Sequence, residues 1–76
     1  MTPITIEEAK KLTHGTILYE MNAKNADGTP RRWKVFGDVK TWIRDDKRIS
    51  IPLKHGMYNH IHLTERNLWA FSLNDK

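Results

Sequence analysis

Apolar side chains recur at every second position in three segments of this chain, which is the spacing of a half-buried β-strand. This alternation, together with the turn residues that bound further short segments, predicts strands at residues 16–21, 31–36, 39–44, 49–53, 58–63 and 68–73. Three of these strands each place a set of apolar side chains on one face: Ile17, Tyr19 and Met21; Ile49, Ile51 and Leu53; and Trp69, Phe71 and Leu73.

Residues 5–12 follow a helical pattern instead. Thr5 is followed three residues later by Glu8, the signature of a capping box in which each side chain bonds to the other residue's backbone N–H. Gly15 is expected to end the segment. A helix of about two turns is not stable alone, so we expect it to close one end of the sheet.

Turn-forming residues separate the strands. Residues 22–30 predict a loop with a tight turn at Asp27-Gly28, and residues 64–67 predict a single helical turn. Gly37-Asp38 predicts a hairpin turn that joins the strands at 31–36 and 39–44. Pro52 is expected to point outward and to mark a sheet edge or a bulge.

The register of the hairpin at 31–48 decides which tryptophan faces solvent. A two-residue turn places Trp33 opposite Trp42, on one face with Val35 and Lys40. A three-residue turn buries Trp33, Val35 and Ile43 and leaves Trp42 on a basic face. The second register separates apolar from charged side chains better, and we favour it. Trp33 and Trp69 are expected in the core.

Five or six short strands in 76 residues predict a closed or nearly closed barrel, because closure hides strand edges. The order of elements resembles the SH3-like barrel, with GTILY as the opening strand and HLTERNLWAF as the helical turn and closing strand. The segments ADGTPRRWKV and VKTW are similar to small phage-encoded SH3-like proteins of unassigned role. The resemblance implies a fold and no catalytic residue.

The expected fold class is therefore mainly β: a small SH3-like barrel of five or six strands with a short N-terminal helix. Residues 1–76 are expected to form a single domain, with the helix at about 5–12 and the barrel at about 16–73.

Charge is concentrated in the middle of the chain. The whole sequence carries 13 Lys and Arg against 9 Asp and Glu, a net charge of +4, which favours nucleic acid or an acidic protein surface as partner. A solvent-facing Trp42 between Lys40 and Arg44 suits base stacking, while the cations meet phosphates. The candidate nucleic-acid-binding residues are Arg32, Lys34, Lys40, Trp42, Arg44, Lys47 and Arg48.

Other chemistry finds little support in the sequence. The chain has no cysteine, its four glycines are scattered, and no nucleophile stands at a recognisable spacing from a base and an orienting acid, so we expect no enzyme. His60 and His62 share a strand face near His55, but nothing predicts the remaining ligands, so neither a metal nor a cofactor is expected. No apolar run could span a membrane and no signal peptide is recognisable, which makes the cytoplasm the expected location.

Three functions stay open. The first is a nucleic-acid-binding module that contacts DNA or RNA with modest affinity through the hairpin at 31–48, since Asp38, Asp45 and Asp46 interrupt the basic segment. The alternative is a protein-interaction module, such as a phage-type factor that docks on a host protein. The third is a structural accessory role in a larger particle. The sequence does not fix an oligomeric state.

Overall fold

Alternating apolar residues and short turns produce a chain of brief elements. The computed structural model describes residues 2–74, apart from the side chain of Ala23. In chain order the elements within this range are α1 (Ile6–Lys10), β1 (Ile17–Lys24), β2 (Pro30–Val35), β3 (Lys40–Trp42), β4 (Asp45–His55), β5 (Asn59–Thr64), a 3-10 turn (Leu68–Ala70) and β6 (Phe71–Ser72).

The strands form one curled antiparallel sheet that closes half of a barrel. β1 pairs with β2 on one edge and with β6 on the other. β4 pairs with β5 along one edge and with β2 and β3 along the other. The fold is mainly β, with six strands in a half-barrel sheet and a short N-terminal helix, which confirms the predicted fold class and is consistent with a small SH3-like barrel. No helix among residues 2–74 is long and apolar enough to cross a membrane.

The capping box at the N-terminus is confirmed. The Glu8 N–H donates to the Thr5 hydroxyl oxygen at 3.2 Å, and the Thr5 N–H donates to the Glu8 carboxylate at 3.0 Å. The helix ends at Lys10, so it is shorter than the predicted 5–12, although the buried Leu12 still donates its N–H to the Ala9 carbonyl at 3.1 Å.

The core lies on the inner face of the curled sheet, with α1 packed at its end. Ile49, Ile51 and Leu53 are buried on one face of β4, as their alternation predicts. In β1 the buried side chain is Leu18, whereas Ile17 is exposed. The reason is the register, because Leu18 lies opposite Trp33, which is buried with 4% of its surface exposed.

The predicted hairpin at 31–48 is wrong, and so are both of its registers, because β2 and β3 do not pair with each other. Both lie antiparallel to β4, where Lys34 is opposite Lys54 and Lys40 is opposite Ser50. Between these pairs the chain advances six residues while β4 advances four. Residues 36–39 therefore form a bulge with two extra residues. The chain before this bulge and the chain after it both pair with the same edge of β4.

Close packing explains why residue 37 is a glycine. Its φ is not positive, unlike those of Gly15, Gly28 and Gly56. A Cβ at Gly37 would lie 2.7 Å from Cγ of Pro52, on the strand that the bulge faces. The Phe36 N–H donates to the Pro52 carbonyl at 3.2 Å, which holds the two backbones together at this point.

Two apolar side chains predicted in the core lie outside it. Ile43 is fully exposed because it occupies the turn between β3 and β4 rather than a strand. Trp69 is 61% exposed. It belongs to the 3-10 turn, whose period of three residues breaks the alternation on which the prediction for residues 68–73 relied.

The outer edge of β5 is partly covered by one side chain. Asn67 accepts the Thr64 N–H at 2.7 Å and donates its amide to the His62 carbonyl at 3.0 Å. It thus pairs with backbone groups of an edge strand in the way a neighbouring strand does, which limits pairing with other chains.

We predict that Gly37→Ala destabilises the fold by about 1–3 kcal/mol, because the new methyl group overlaps the Pro52 ring. Urea unfolding measures the loss. In a Pro52→Ala background, where Cγ is absent, the same change is expected to cost much less. An equal cost in both backgrounds would show that the contact with Pro52 is not the cause.

We predict that Asn67→Ala lowers the free energy of unfolding by about 1–3 kcal/mol, because a partly buried N–H and a carbonyl lose their partner. The control is Asn59→Ala on the same strand, where the described residues give the amide no hydrogen bond. Similar urea midpoints for the two variants would contradict the assigned role of Asn67.

Candidate nucleic-acid interface

The outer face of the sheet is organised by β4. Since Ile49, Ile51 and Leu53 point into the core, the side chains between them point outward. Two rows of directly opposed residues cross three strands on this face. They are Lys40, Ser50 and Thr64 in the first row, and Lys34, Lys54 and His60 in the second.

Three of the predicted residues form the Trp42 cluster, which consists of Lys40, Trp42 and Arg48. The guanidinium carbon of Arg48 lies 4.2 Å from the centre of the Trp42 ring, and Nζ of Lys40 lies 5.4 Å from it. Both distances are within cation–π range. The cations and the indole are therefore one packed unit at the end of the sheet.

A second bulge brings Arg48 back over Trp42. Thr41 lies opposite Ile49, but its neighbour Trp42 lies opposite Asp45. Residues 46–48 are thus extra residues on β4. Because three is an odd number, the bulge also reverses the alternation, and Asp45 falls on the same side as Trp42.

The position of Trp42 differs from the predicted one. It was expected to face solvent between Lys40 and Arg44, but Arg44 lies in the turn after β3 and Trp42 is half-buried. Arg48 covers its ring instead. The indole therefore supports a guanidinium, an interaction worth about 0.5–1 kcal/mol at an exposed site.

The Trp42 cluster borders an open depression of about 670 Å³. Ser50 and Thr64 form part of its floor, and Glu65 and Arg66 come from the turn after β5. Three cations and two carboxylates thus surround the depression, so its charge is positive but mixed. Sequence reasoning missed Arg66, because only the pairing of β5 with β4 brings it near Trp42. The lining residues are Lys40, Trp42, Asp45, Arg48, Ile49, Ser50, Thr64, Glu65 and Arg66.

The cations of the depression have no carboxylate partner within 4.0 Å in the part of the chain that the structure describes. Within residues 2–74 the one ion pair at that distance joins Arg31 to Glu20, at 3.8 Å. Asp45 instead accepts the Lys47 N–H at 3.2 Å and so orders the turn. Lys40, Arg48 and Arg66 are therefore available to an anion from solution.

The other predicted residues do not join this cluster. Lys34 lies in the second row, and Arg44 is exposed in a turn. Lys47 borders a different depression, of about 430 Å³, together with Lys10 of α1.

Arg32 borders a third depression, of about 290 Å³, with Tyr19 and Asp27. The Thr29 hydroxyl and backbone N–H both donate to Asp27 and hold the pKa of that carboxyl below its ordinary value. The Asp27 carboxylate therefore lies beside Arg32 in this depression and makes it a poorer site for an anion than the Trp42 cluster.

The histidines have separate surroundings. Nδ1 of His55 lies 2.9 Å from the Arg32 carbonyl oxygen, and its ring packs 5.5 Å from that of Trp33. The His60 ring meets the Phe36 ring edge-on, 5.1 Å between centres. In residues 2–74 no three side chains of the metal-binding types come together as a group.

Comparison with known proteins adds no further assignment: this chain matches no protein-family profile, no curated protein and no solved structure.

We predict that the side-chain NMR signals of Arg48 are shifted upfield by the ring current of Trp42 and return to ordinary positions in Trp42→Leu. Arg44, which lies in the adjacent turn, is the internal control and is expected to keep its shifts. Indistinguishable shifts for Arg48 and Arg44 in the parent protein would contradict the stacked arrangement.

Proposed function

We propose that this chain is a small, non-enzymatic nucleic-acid-binding module that contacts single strands through the Trp42 cluster and Arg66. The observation that carries the proposal is the guanidinium of Arg48, which is stacked on Trp42 and has no carboxylate within 4.0 Å among residues 2–74.

The stacked arginine favours a phosphate ligand. A guanidinium presents five N–H donors in a plane that matches phosphate oxygens. Packing against Trp42 restricts the Arg48 side chain before the ligand arrives, so less conformational entropy is lost on binding. Lys40 and Arg66 supply further charge around the same depression.

The shape of the surface favours single strands. The cations lie on a sheet and line an open depression, whereas α1 has five residues and does not offer a recognition helix for a major groove. Bases of a single strand are free to stack on guanidinium planes as well as on aromatic rings. A strand lying along β4 would place phosphates near Lys40 and Arg48, with a base free to stack on the guanidinium plane.

The affinity is expected to be modest. Asp45 and Glu65 border the same depression and repel phosphate. A sequence-independent dissociation constant of about 10⁻⁴–10⁻⁶ M at physiological salt follows from contacts of this kind.

Exposed apolar side chains favour a second candidate, a protein-interaction module such as a phage-type factor that docks on a host protein in the cytoplasm. Met57 and Tyr58 are more than four-fifths exposed at the turn between β4 and β5. Ile43 is exposed as well, but it lies beyond the other end of β4, roughly 30 Å away along the strand. Because these side chains do not form one patch, we rank this candidate second.

Binding of labelled single strands of about ten nucleotides, followed by fluorescence anisotropy, tests the first proposal. We expect dissociation constants that rise steeply between about 50 and 200 mM salt; the logarithm of the association constant is expected to fall with the logarithm of salt concentration with a slope near −2, for about three phosphate contacts. Arg48→Ala and Lys40→Ala are each expected to weaken binding by about three- to tenfold. Lys24→Ala, which removes a cation at the far end of β1, is the control and is expected to bind as the parent does.

Glu65→Gln is expected to change the binding affinity in the opposite direction. It removes a negative charge from the depression, so binding is expected to tighten by about two- to fivefold. If Arg48→Ala and Glu65→Gln both bind as the parent does, or if binding is insensitive to salt, the proposal is rejected. Loss of a protein partner on Tyr58→Ala, without an effect of Arg48→Ala, would favour the second candidate instead.

A further inference from the structure

The second row of the outer face, which we name the Lys54 row, consists of Lys34, Lys54 and His60. Lys54 lies directly opposite Lys34 on β2 and directly opposite His60 on β5. Like charges placed directly opposite each other destabilise a sheet. Within residues 2–74 no carboxylate lies within 4.0 Å of these three groups to offset that cost.

Phe36 packs against two members of this row, Lys54 and His60. Its ring meets the His60 ring at 5.1 Å and lies 6.0 Å from Nζ of Lys54. The bulge that Gly37 permits places Phe36 there, and its N–H donates to the Pro52 carbonyl. Phe36, Lys54 and His60 thus repeat the arrangement of the Trp42 cluster: an aromatic ring in contact with two basic side chains.

The Trp42 cluster and the Lys54 row lie on the same face of the sheet at a defined separation. Ser50, which stands opposite Lys40, is four residues from Lys54 on β4, a distance of about 13 Å along the strand. Pro52 and His62 lie between them on β4 and β5 and bring no negative charge, whereas the bulge alongside carries the exposed Asp38. A single extended strand can therefore contact both groups.

We propose that the Lys54 row is a second phosphate site, which takes a further phosphate of the strand bound at the Trp42 cluster and is strengthened when His60 is protonated. The inference rests on the proposed function. A phosphate at this position offsets the repulsion between Lys34 and Lys54, which the protein alone leaves uncompensated.

The pH dependence follows from the groups around His60. It faces Lys54 from β4 and, beyond it, Lys34 from β2, while His62 lies two residues on along β5. Tyr58 stands in the preceding turn, where the Met57 carbonyl oxygen lies 3.4 Å from Nε2 of His60. A protonated His60 is repelled by both lysines, and a phosphate removes that penalty.

Binding is therefore expected to take up a proton and to strengthen on acidification. Histidine ordinarily changes charge between about pH 5 and 8, whereas the internal phosphodiesters of a nucleic acid keep one negative charge throughout this range. The pH dependence of binding therefore comes from the protein and not from the nucleic acid.

The test repeats the anisotropy measurement with a single strand of about ten nucleotides at about pH 8 and pH 6 and fixed ionic strength. The parent protein is expected to bind about three- to tenfold more tightly at the lower pH. His60→Gln is expected to lose most of this difference, and His62→Gln to retain it. Lys54→Ala and Lys34→Ala are each expected to weaken binding at both pH values and to reduce the salt slope by about 0.7.

The outcomes separate this inference from the proposed function. Salt-sensitive binding that Arg48→Ala weakens, but that Lys54→Ala, Lys34→Ala and His60→Gln leave unchanged, would overturn the second site and leave the first intact. A pH response that depends on His62 rather than His60 would overturn it as well. No binding by the parent at either pH would reject both. The cation over the Phe36 ring is Lys54, so the Lys34 variant tests the charge while that pair stays in place.

Discussion

The contact between Gly37 and Pro52 is the constraint on which the rest of the sheet depends. It lets residues 36–39 bulge while the chain on either side stays paired to β4. A side chain at position 37 would meet the Pro52 ring and strain the pairing of β2 and β3 with the same edge of that strand. β4 holds the central position, between β5 on one side and β2 and β3 on the other.

The size of each bulge decides which side chains share the outer face. The bulge at residues 36–39 adds two residues, an even number, so Lys34 and Lys40 stay on the same side of the sheet. The bulge at residues 46–48 adds three, so it reverses the alternation and puts Asp45 on the same side as Trp42. The candidate interface is therefore a result of backbone register as much as of composition.

Much of the fold could be predicted from local pattern. The capping box of Thr5 and Glu8, the buried alternation from Ile49 to Leu53 and the buried Trp33 are confirmed, because each depends on residues near one another in sequence or on burial of a large apolar side chain. The prediction that Trp69 and Ile43 lie in the core is wrong. A 3-10 turn and a tight hairpin turn replaced the expected strands there, and both changed the period on which the predictions relied.

Some features of the candidate interface could likewise be predicted from the sequence, and others could not. The sequence alone determined that this is a small β-rich chain with a net positive charge, and that its basic residues concentrate around Trp42. The tertiary structure decided that Arg48, rather than Arg44, lies against Trp42, and that Arg66 and His60 join this face. Strand pairing between distant segments sets those neighbours. A glycine followed by an aspartate predicts a turn equally well whether the chain reverses or, as here, bulges past a proline on the opposite strand.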